Sequence, residues 1–261
     1  LHEAWLDAAF LLLLVGYGTK MGLAPLHTWL PDAHSEAPSM VSALLSGALL
    51  NCAFLGIVRA LQVCAAAGHL TFGRDLLVGF GLVSMAVAAV FLVGQTDYKR
   101  LLAYSSVEHM GILALGVGLG GSGSFGALLH AVNHSLTKAM LFLVAGNILT
   151  AYQSKSTIEV RGVLRVLPIS GLLWVVGLLA ITGSPPFGTF LSEFTILKAA
   201  LDQGRNGVAI AYLVFLAIIF VGLSTAVLNM AQGTPPEGQR RMTEPESLWT
   251  VLSPALLGVL V

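Results

Sequence analysis

An all-α polytopic membrane protein of about eight transmembrane helices is the fold class that this 261-residue sequence predicts. Three observations carry that reading. Apolar residues make up 56% of the chain and charged residues only 10%, whereas soluble domains carry about 25% charged residues. Apolar runs of roughly 20 residues, enough helix to cross a hydrocarbon core about 30 Å thick, recur from one end to the other. Gly occurs 29 times, which suits helices that approach one another closely without water between them. The composition also excludes some functions. Thirteen Lys plus Arg balance thirteen Asp plus Glu, so no charge excess attracts nucleic acid. Cys52 and Cys64 are the only cysteines and lie in or beside an apolar run, which rules out a disulfide framework, an iron-sulfur site and a cysteine zinc site.

Taken in order, the spans fall at about 7–30, 39–63, 75–95, 101–120, 123–150, 168–200, 207–231 and 246–261. Short polar links separate them at 31–38, 69–74, 95–100 and 120–124, with longer ones at 153–168 and 232–245. None of these could hold a soluble domain, so 1–261 is expected to be one transmembrane domain. The opening at Leu1 and the close on the apolar run Leu256 to Val261 suggest a partial one lacking N-terminal helices. His2 and Glu3 stand where a signal peptide would carry a basic segment.

Orientation follows the basic residues. Links after the odd-numbered spans hold Lys99, Arg100, Lys155, Arg161, Arg165, Arg240 and Arg241, against Arg59, Arg74, Lys198 and Arg205 on the other face. The first group is expected to be cytoplasmic. Two spans are interrupted, the first at Pro25 and the sixth at Pro185-Pro186, between Gly183-Ser184 and Gly188. Proline removes a backbone donor, and irregular backbone at membrane depth is tolerated only inside protein or beside a cavity. Broken helices are therefore a transporter signal, with a simple kink as the structural alternative.

Ionisable side chains within spans each cost at least about 2.5 to 3.5 kcal/mol on insertion scales, so each needs a partner or a purpose. Lys20 falls mid-span, too deep for its stem to reach the surface easily and so expected to be sheltered from water. His130, His134 and Lys138 stand four residues apart, on one helix face with about 6 Å of rise between neighbours. Histidine, with an unperturbed pKa of about 6.5, accepts and releases protons at little cost, so the spacing forms a ladder. As a metal site it offers two ligands, no carboxylate on the same face and a repelling lysine, so no metal is expected. Cross-helix hydrogen bonding that merely holds the bundle is the bland alternative. Glu193, seven residues after Pro186, is a candidate titrating exit group or a counter-ion to Lys198 or Lys138. Glu108 and His109 open the fourth helix near Asp97, Lys99 and Arg100, where an interfacial ion cluster explains them as well as a pathway does. His27 and His34, with Asp32 and Glu36, flank the first link and read as its solvated surface.

The stretch from Lys20-Met21-Gly22-Leu23-Ala24-Pro25 through Trp29-Leu30-Pro31-Asp32-Ala33-His34-Ser35-Glu36-Ala37-Pro38 resembles the signature of the antiporter-like membrane subunits of respiratory complex I, Mrp antiporters and membrane-bound hydrogenases. Three further motifs match in order: Gln95 to Gly111, the helix bearing His130, His134 and Lys138, and Gly183-Ser184-Pro185-Pro186-Phe187-Gly188 leading to Ser192-Glu193-Phe194. The wording around Ser35 to Ala43 is most similar to the hydrogenase-4 component F branch, with chain M of NADH dehydrogenase close behind. The resemblance implies the C-terminal part of a fourteen-helix fold. It further implies that Lys20 is a central proton-holding lysine, that His130, His134 and Lys138 form a bridging relay, and that Glu193 is the terminal group. His27, Glu108, His109, Pro25, Pro185 and Pro186 would support the pathway. Where many relatives carry a second lysine this chain has Asn51, whose amide can hold water but not a proton.

The implied function is proton translocation as a non-redox membrane subunit of a respiratory complex in the bacterial inner membrane. Other membrane subunits and a peripheral redox arm are the expected partners, and iron-sulfur, NiFe or flavin groups are expected only there, since this chain has no cofactor motif. An Mrp-type sodium/proton antiporter subunit is one rival reading; a non-conducting scaffold for a hydrogenase is another.

Overall fold

The computed structural model describes residues 3–235 and 246–261. His2, Arg240 and Arg241 lie outside them. The described residues form helices α1 Glu3–Met21, α2 Trp29–Glu36, α3 Ser39–Leu44, α4 Leu50–Ala66, α5 Thr71–Leu92, α6 Tyr98–Leu119, α7 Ser122–Tyr152, α8 Val163–Val166, α9 Pro168–Ile181, α10 Gly188–Asp202, α11 Asn206–Ala231 and α12 Leu248–Leu260. A π-helical turn, Leu45–Leu49, joins α3 to α4 into one rod. Six rods are long and apolar enough to cross a membrane: α1, the α3–α4 rod, α5, α6, α7 and α11. The α9–α10 pair and α12 complete the eight spans, and the chain is a multi-pass membrane protein.

α6 is the axis of the bundle. Nearly all its side chains are buried, polar and apolar alike, and α5 and α7 flank it. The α5–α6 crossing is closest at Gly81 and Gly111, where a Cβ on either residue would meet the other's carbonyl oxygen at 2.7 or 2.8 Å. Small residues at a crossing let backbones touch, which is how helices associate where no hydrophobic effect drives them together. Asp97 caps α6, its carboxylate accepting from the Lys99 and Arg100 amides at 2.8 and 3.1 Å.

Both expected breaks are present. The first separates α1 from α2 at 22–28, and its loose backbone groups are collected by neighbours. The Ala24 amide donates to Ser84 Oγ at 2.9 Å, and Trp29 Nε1 to the Thr19 carbonyl at 2.7 Å. The second, at 182–187, is held by the Ser184 amide on the Leu179 carbonyl at 3.0 Å and by Thr189 Oγ on the Ala180 carbonyl.

Two expectations are corrected. The link at 31–38 is not a solvated loop, because Trp29–Glu36 is helical and buries His34 and Ser35. Leu30, Ala33 and Ala37 at helical spacing give this segment an apolar side. The fourth span begins at Tyr98, three residues earlier than its apolar run, which places Glu108 and His109 mid-helix instead of at the interface.

Basic residues gather at the two ends as the loop charges suggest. Arg100 pairs with Asp32 at 2.6 Å and Lys155 with Glu36 at 3.1 Å at one end. At the other, Arg205 pairs with Asp75 at 3.3 Å and the Arg74 guanidinium folds over Gly120. The crossing makes a prediction: Gly81→Val should lower the stability of the purified protein by about 1 to 3 kcal/mol through overpacking. Gly79→Val, which meets open space, should leave the thermal unfolding midpoint unchanged.

Candidate functional site

Around the middle of α6 the structure assembles a continuous polar cluster from α6, α7 and α10. His109 Nδ1 lies 2.8 Å from His130 Nε2, and His130 Nδ1 lies 2.8 Å from Ser192 Oγ. Ser192 in turn donates to the Thr189 carbonyl at 2.7 Å. All four side chains are buried, and Glu193 follows Ser192 with its carboxylate pressed against Gly183 in the second break.

The carbonyl at the end of this series fixes its polarity, because a carbonyl oxygen only accepts. Ser192 gives its proton to Thr189, so its oxygen accepts from His130 Nδ1–H. In a neutral pair His130 Nε2 is then the acceptor for His109 Nδ1–H. His109 Nε2, buried and without a hydrogen-bond partner among protein atoms, is left as the free lone pair.

The ladder expected on α7 is thus not a direct one. His109 stands between its two histidines, its ring centroid 4.9 Å from that of His130 and 5.1 Å from that of His134. Neither nitrogen of buried His134 has a protein partner. One turn on, the Lys138 ammonium donates to the Leu102 carbonyl at 2.6 Å and to Ser105 Oγ. Glu108 is buried with one oxygen unpartnered and lies within electrostatic range of both Lys138 and Glu193. Lys198 is not the counter-ion of Glu193, because it pairs with Asp202 on the surface.

Sequence reasoning missed His34. It is fully buried, stacked on Phe142 at 4.8 Å between centroids, with both ring nitrogens unpartnered. Lys138, Lys99 and His134 are its electrostatic neighbours. The periodicity of Leu30, Ala33 and Ala37 was the signal that could have found it. Lys99 is also buried and donates to the Ser35 and Ala37 carbonyls at 3.1 and 2.6 Å, supplying donors where the end of α2 leaves carbonyls unpaired.

Three predicted residues fall outside the cluster. Lys20, expected to be sheltered, is exposed on this chain, its ammonium 5.3 Å from the centre of the Trp29 ring. His27 is buried in the first break beside the stacked rings of Phe91 and Tyr104. The Asn51 amide donates to the Gly47 and Ala131 carbonyls at 3.3 and 3.1 Å and to Ser135 Oγ, clasping the π-helical turn to α7. Its nitrogen is thereby committed to protein, and only its oxygen is unpartnered.

His109, His130 and Glu193 bring one ligand atom each within 4.8 Å of one another, a group that shares only His130 with the expected α7 pair and takes its other two members from α6 and α10. Ligands on one zinc sit about 2.0 to 2.2 Å from it and therefore farther apart than a hydrogen bond. The 2.8 Å between His109 and His130 is the separation of two nitrogens sharing a proton.

This is the site of an antiporter-like membrane subunit: the profile of the transmembrane family "NADH:quinone oxidoreductase/Mrp antiporter" matches residues 2–220, and the chain belongs to that family. It is 41% identical over 232 residues to the hydrogenase-4 component F homolog of Methylacidiphilum infernorum, covering 87% of this chain and 47% of that protein. It is 36% identical over 228 residues to NAD(P)H-quinone oxidoreductase chain 4 3 of a Picosynechococcus species, covering 87% and 41%. Among solved structures it superimposes on a chain of the membrane-bound sulfane sulfur reductase, an archaeal respiratory membrane complex, with a TM-score of 0.85 and 25% identity over 96% of this chain and 43% of that one. The chain spans under half the length of these relatives.

The capping role of Lys99 is testable. Lys99→Met should leave two carbonyls without their donor, a loss of about 1 to 3 kcal/mol. Hydrogen exchange across 29–37 should accelerate while α7 stays protected.

Proposed function

We propose that this chain is a proton-translocating, antiporter-like subunit of a redox-driven respiratory complex in the bacterial inner membrane, working as a single transmembrane unit. The observation that carries this reading is the hydrogen-bonded series His109–His130–Ser192 beside Glu193, continued on its other side by His134 and Lys138. A proton moves from Lys138 to His134, crosses to the free nitrogen of His109, passes to His130 and leaves through Glu193 at the second break. His34 and Lys99 lead toward Lys138 from the end of the bundle that holds Glu36 and Lys155. Lys20, exposed on this chain, exchanges protons with a carboxylate on a neighbouring helix. Moving one charge against 100 mV requires about 2.3 kcal/mol, which a swing of roughly two pKa units at one relay group covers. Other membrane subunits and a peripheral redox arm hold the metals and flavin, and this chain carries protons alone.

Sodium is the weaker choice of ion. It prefers oxygen ligands, and the buried ionisable groups among the described residues are mostly nitrogen bases, with only Glu108 and Glu193 as carboxylates. A scaffold role gives no purpose to four buried ring nitrogens, two on His34 and two on His134, that bond to no protein group.

In the assembled complex, His109→Phe and Glu193→Gln should each cut coupled proton pumping at least tenfold with normal subunit assembly. Ser192→Ala, which removes only the group that orients His130, should slow pumping several-fold. Assembly measured by native gel and pumping measured by pH-dye quenching in vesicles check both. Full pumping in an assembled His109→Phe complex defeats the relay.

A further inference from the structure

The second break opens sideways, between α10 and α11, into a groove of about 400 Å³. Phe190 and Phe194 of α10 and Phe220 of α11 form its walls and reach the outer surface of the chain. Its floor is polar, made by Glu193 and Tyr212. Both floor residues are more than nine-tenths buried, yet Glu193 Oε1 and the Tyr212 hydroxyl have no hydrogen-bond partner in the protein. An unmet buried polar group is costly, so a molecule that satisfies both gains from doing so.

The shape and the floor together select a chemical class. The size lies within the range of small-molecule pockets, about 300 to 1,000 Å³. An anion is repelled by the carboxylate, and Glu108 in electrostatic range of Glu193 adds to that repulsion. An alcohol can donate to Glu193 and accept from the Tyr212 hydroxyl, but it brings no charge to balance the carboxylate. A primary ammonium offers three donors and no acceptor, one for the Glu193 oxygen and one for the Tyr212 oxygen. The Phe190 and Phe194 rings, 6.1 Å apart between centroids, offer an apolar wall to the tail. An amine also brings its own counter-charge, so the pair is neutral overall whichever partner holds the shared proton, and no net charge is carried into the apolar surround.

We propose that this groove is a binding site for lipophilic primary amines, reached from the bilayer, with the ammonium head between Glu193 and Tyr212 and the apolar tail among the phenylalanines. Binding stands apart from the relay. Inhibition of pumping follows only because the relay ends on the same carboxylate, and that step rests on the proposed function.

The experiment uses the assembled complex in lipid nanodiscs and measures calorimetric binding of 4-phenylbutylamine, 4-phenylbutanol and 4-phenylbutanoate, three probes with one tail. The amine should bind saturably and at least tenfold more tightly than the alcohol, and the carboxylate should not bind. Glu193→Gln should abolish the preference for amine over alcohol. Ala217→Trp should fill the groove from α11 without touching its floor and remove binding; where that variant fails to assemble, Glu193→Gln carries the test alone. Equal affinity for amine and alcohol, or amine binding unaltered by either substitution, overturns the site. Inhibition of pumping by the amine in the wild type supports site and relay together. Tight, Glu193-dependent binding with undiminished pumping upholds the site and counts against the relay.

Discussion

The constraint on which this structure depends is that α6 is enclosed on all sides and its first half, Tyr98 to His109, is nonetheless polar. In a low-dielectric interior each polar group must find a partner within protein, because lipid supplies none. Ser105, Ser106, Glu108 and His109 therefore dictate what their neighbours bring. Ser46 from the π-helical turn meets Ser106 at 2.9 Å. Lys138 meets the Leu102 carbonyl, and His130 meets His109. Among the described ionisable groups at the centre, His34, His134, Glu108, His109, Glu193 and Tyr212 keep a polar atom unsatisfied after this pairing. Those are the groups that can change protonation without a rigid bond resisting the change.

The two broken helices solve opposite problems. In the first, Ser84, Trp29 and Lys99 answer the freed backbone groups, and the piece beyond the break, α2, is tied at its far end through Ser35 to Asp97 at 2.6 Å. This is a closed joint. In the second, the backbone and the hydroxyls of Thr182 and Thr189 are held locally, but Glu193 and Tyr212 both keep a polar atom without a partner. A joint whose backbone is fixed and whose carboxylate is unpaired suits proton release, since the group can titrate while the helix ends stay in place.

The positions of the rods were legible because each needs an apolar run of bilayer length, and Pro25 and Pro185-Pro186 announced the breaks through the chemistry of proline itself. The α7 face was legible because residues four apart share it. What one sequence does not encode locally is which residue of another helix fills the gap between two members of that face. His109 does so from α6, and its depth was misjudged because the span was measured from its apolar run at 101, although Asp97 three residues before Arg100 is a cap signal. His34 was hidden by composition: a short stretch with Pro, Asp, His, Ser and Glu has the polarity of a loop, and only tertiary packing against Phe142 decides otherwise. Lys20 is exposed on this chain, which spans under half the length of its relatives, and depth along a helix says nothing about which neighbour covers a side chain.

The direction of hydrogen bonding limits how the relay can end. Thr189 supplies a carbonyl, and a carbonyl cannot take up a proton as a carboxylate can, so the branch from His130 through Ser192 leads nowhere as a path. Ser192 instead holds the His130 ring in one tautomer, with Nδ1–H pointing at its oxygen, in the manner of the partners that orient catalytic and metal-bound histidines. A proton arriving at His109 Nε2 pushes its Nδ1 proton onto His130 Nε2. His130 is then doubly protonated, with one N–H held by Ser192 and the other facing back toward His109. In the proposed relay Glu193, whose oxygen lies within 4.8 Å of the ligand nitrogens of both histidines, is the base that relieves this cation through a water between them. Under the proposed function, the series stores one proton in the His109–His130 pair and discharges it only when Glu193 is unprotonated. A relay of that kind passes protons one at a time, with the carboxylate at the second break as its control point.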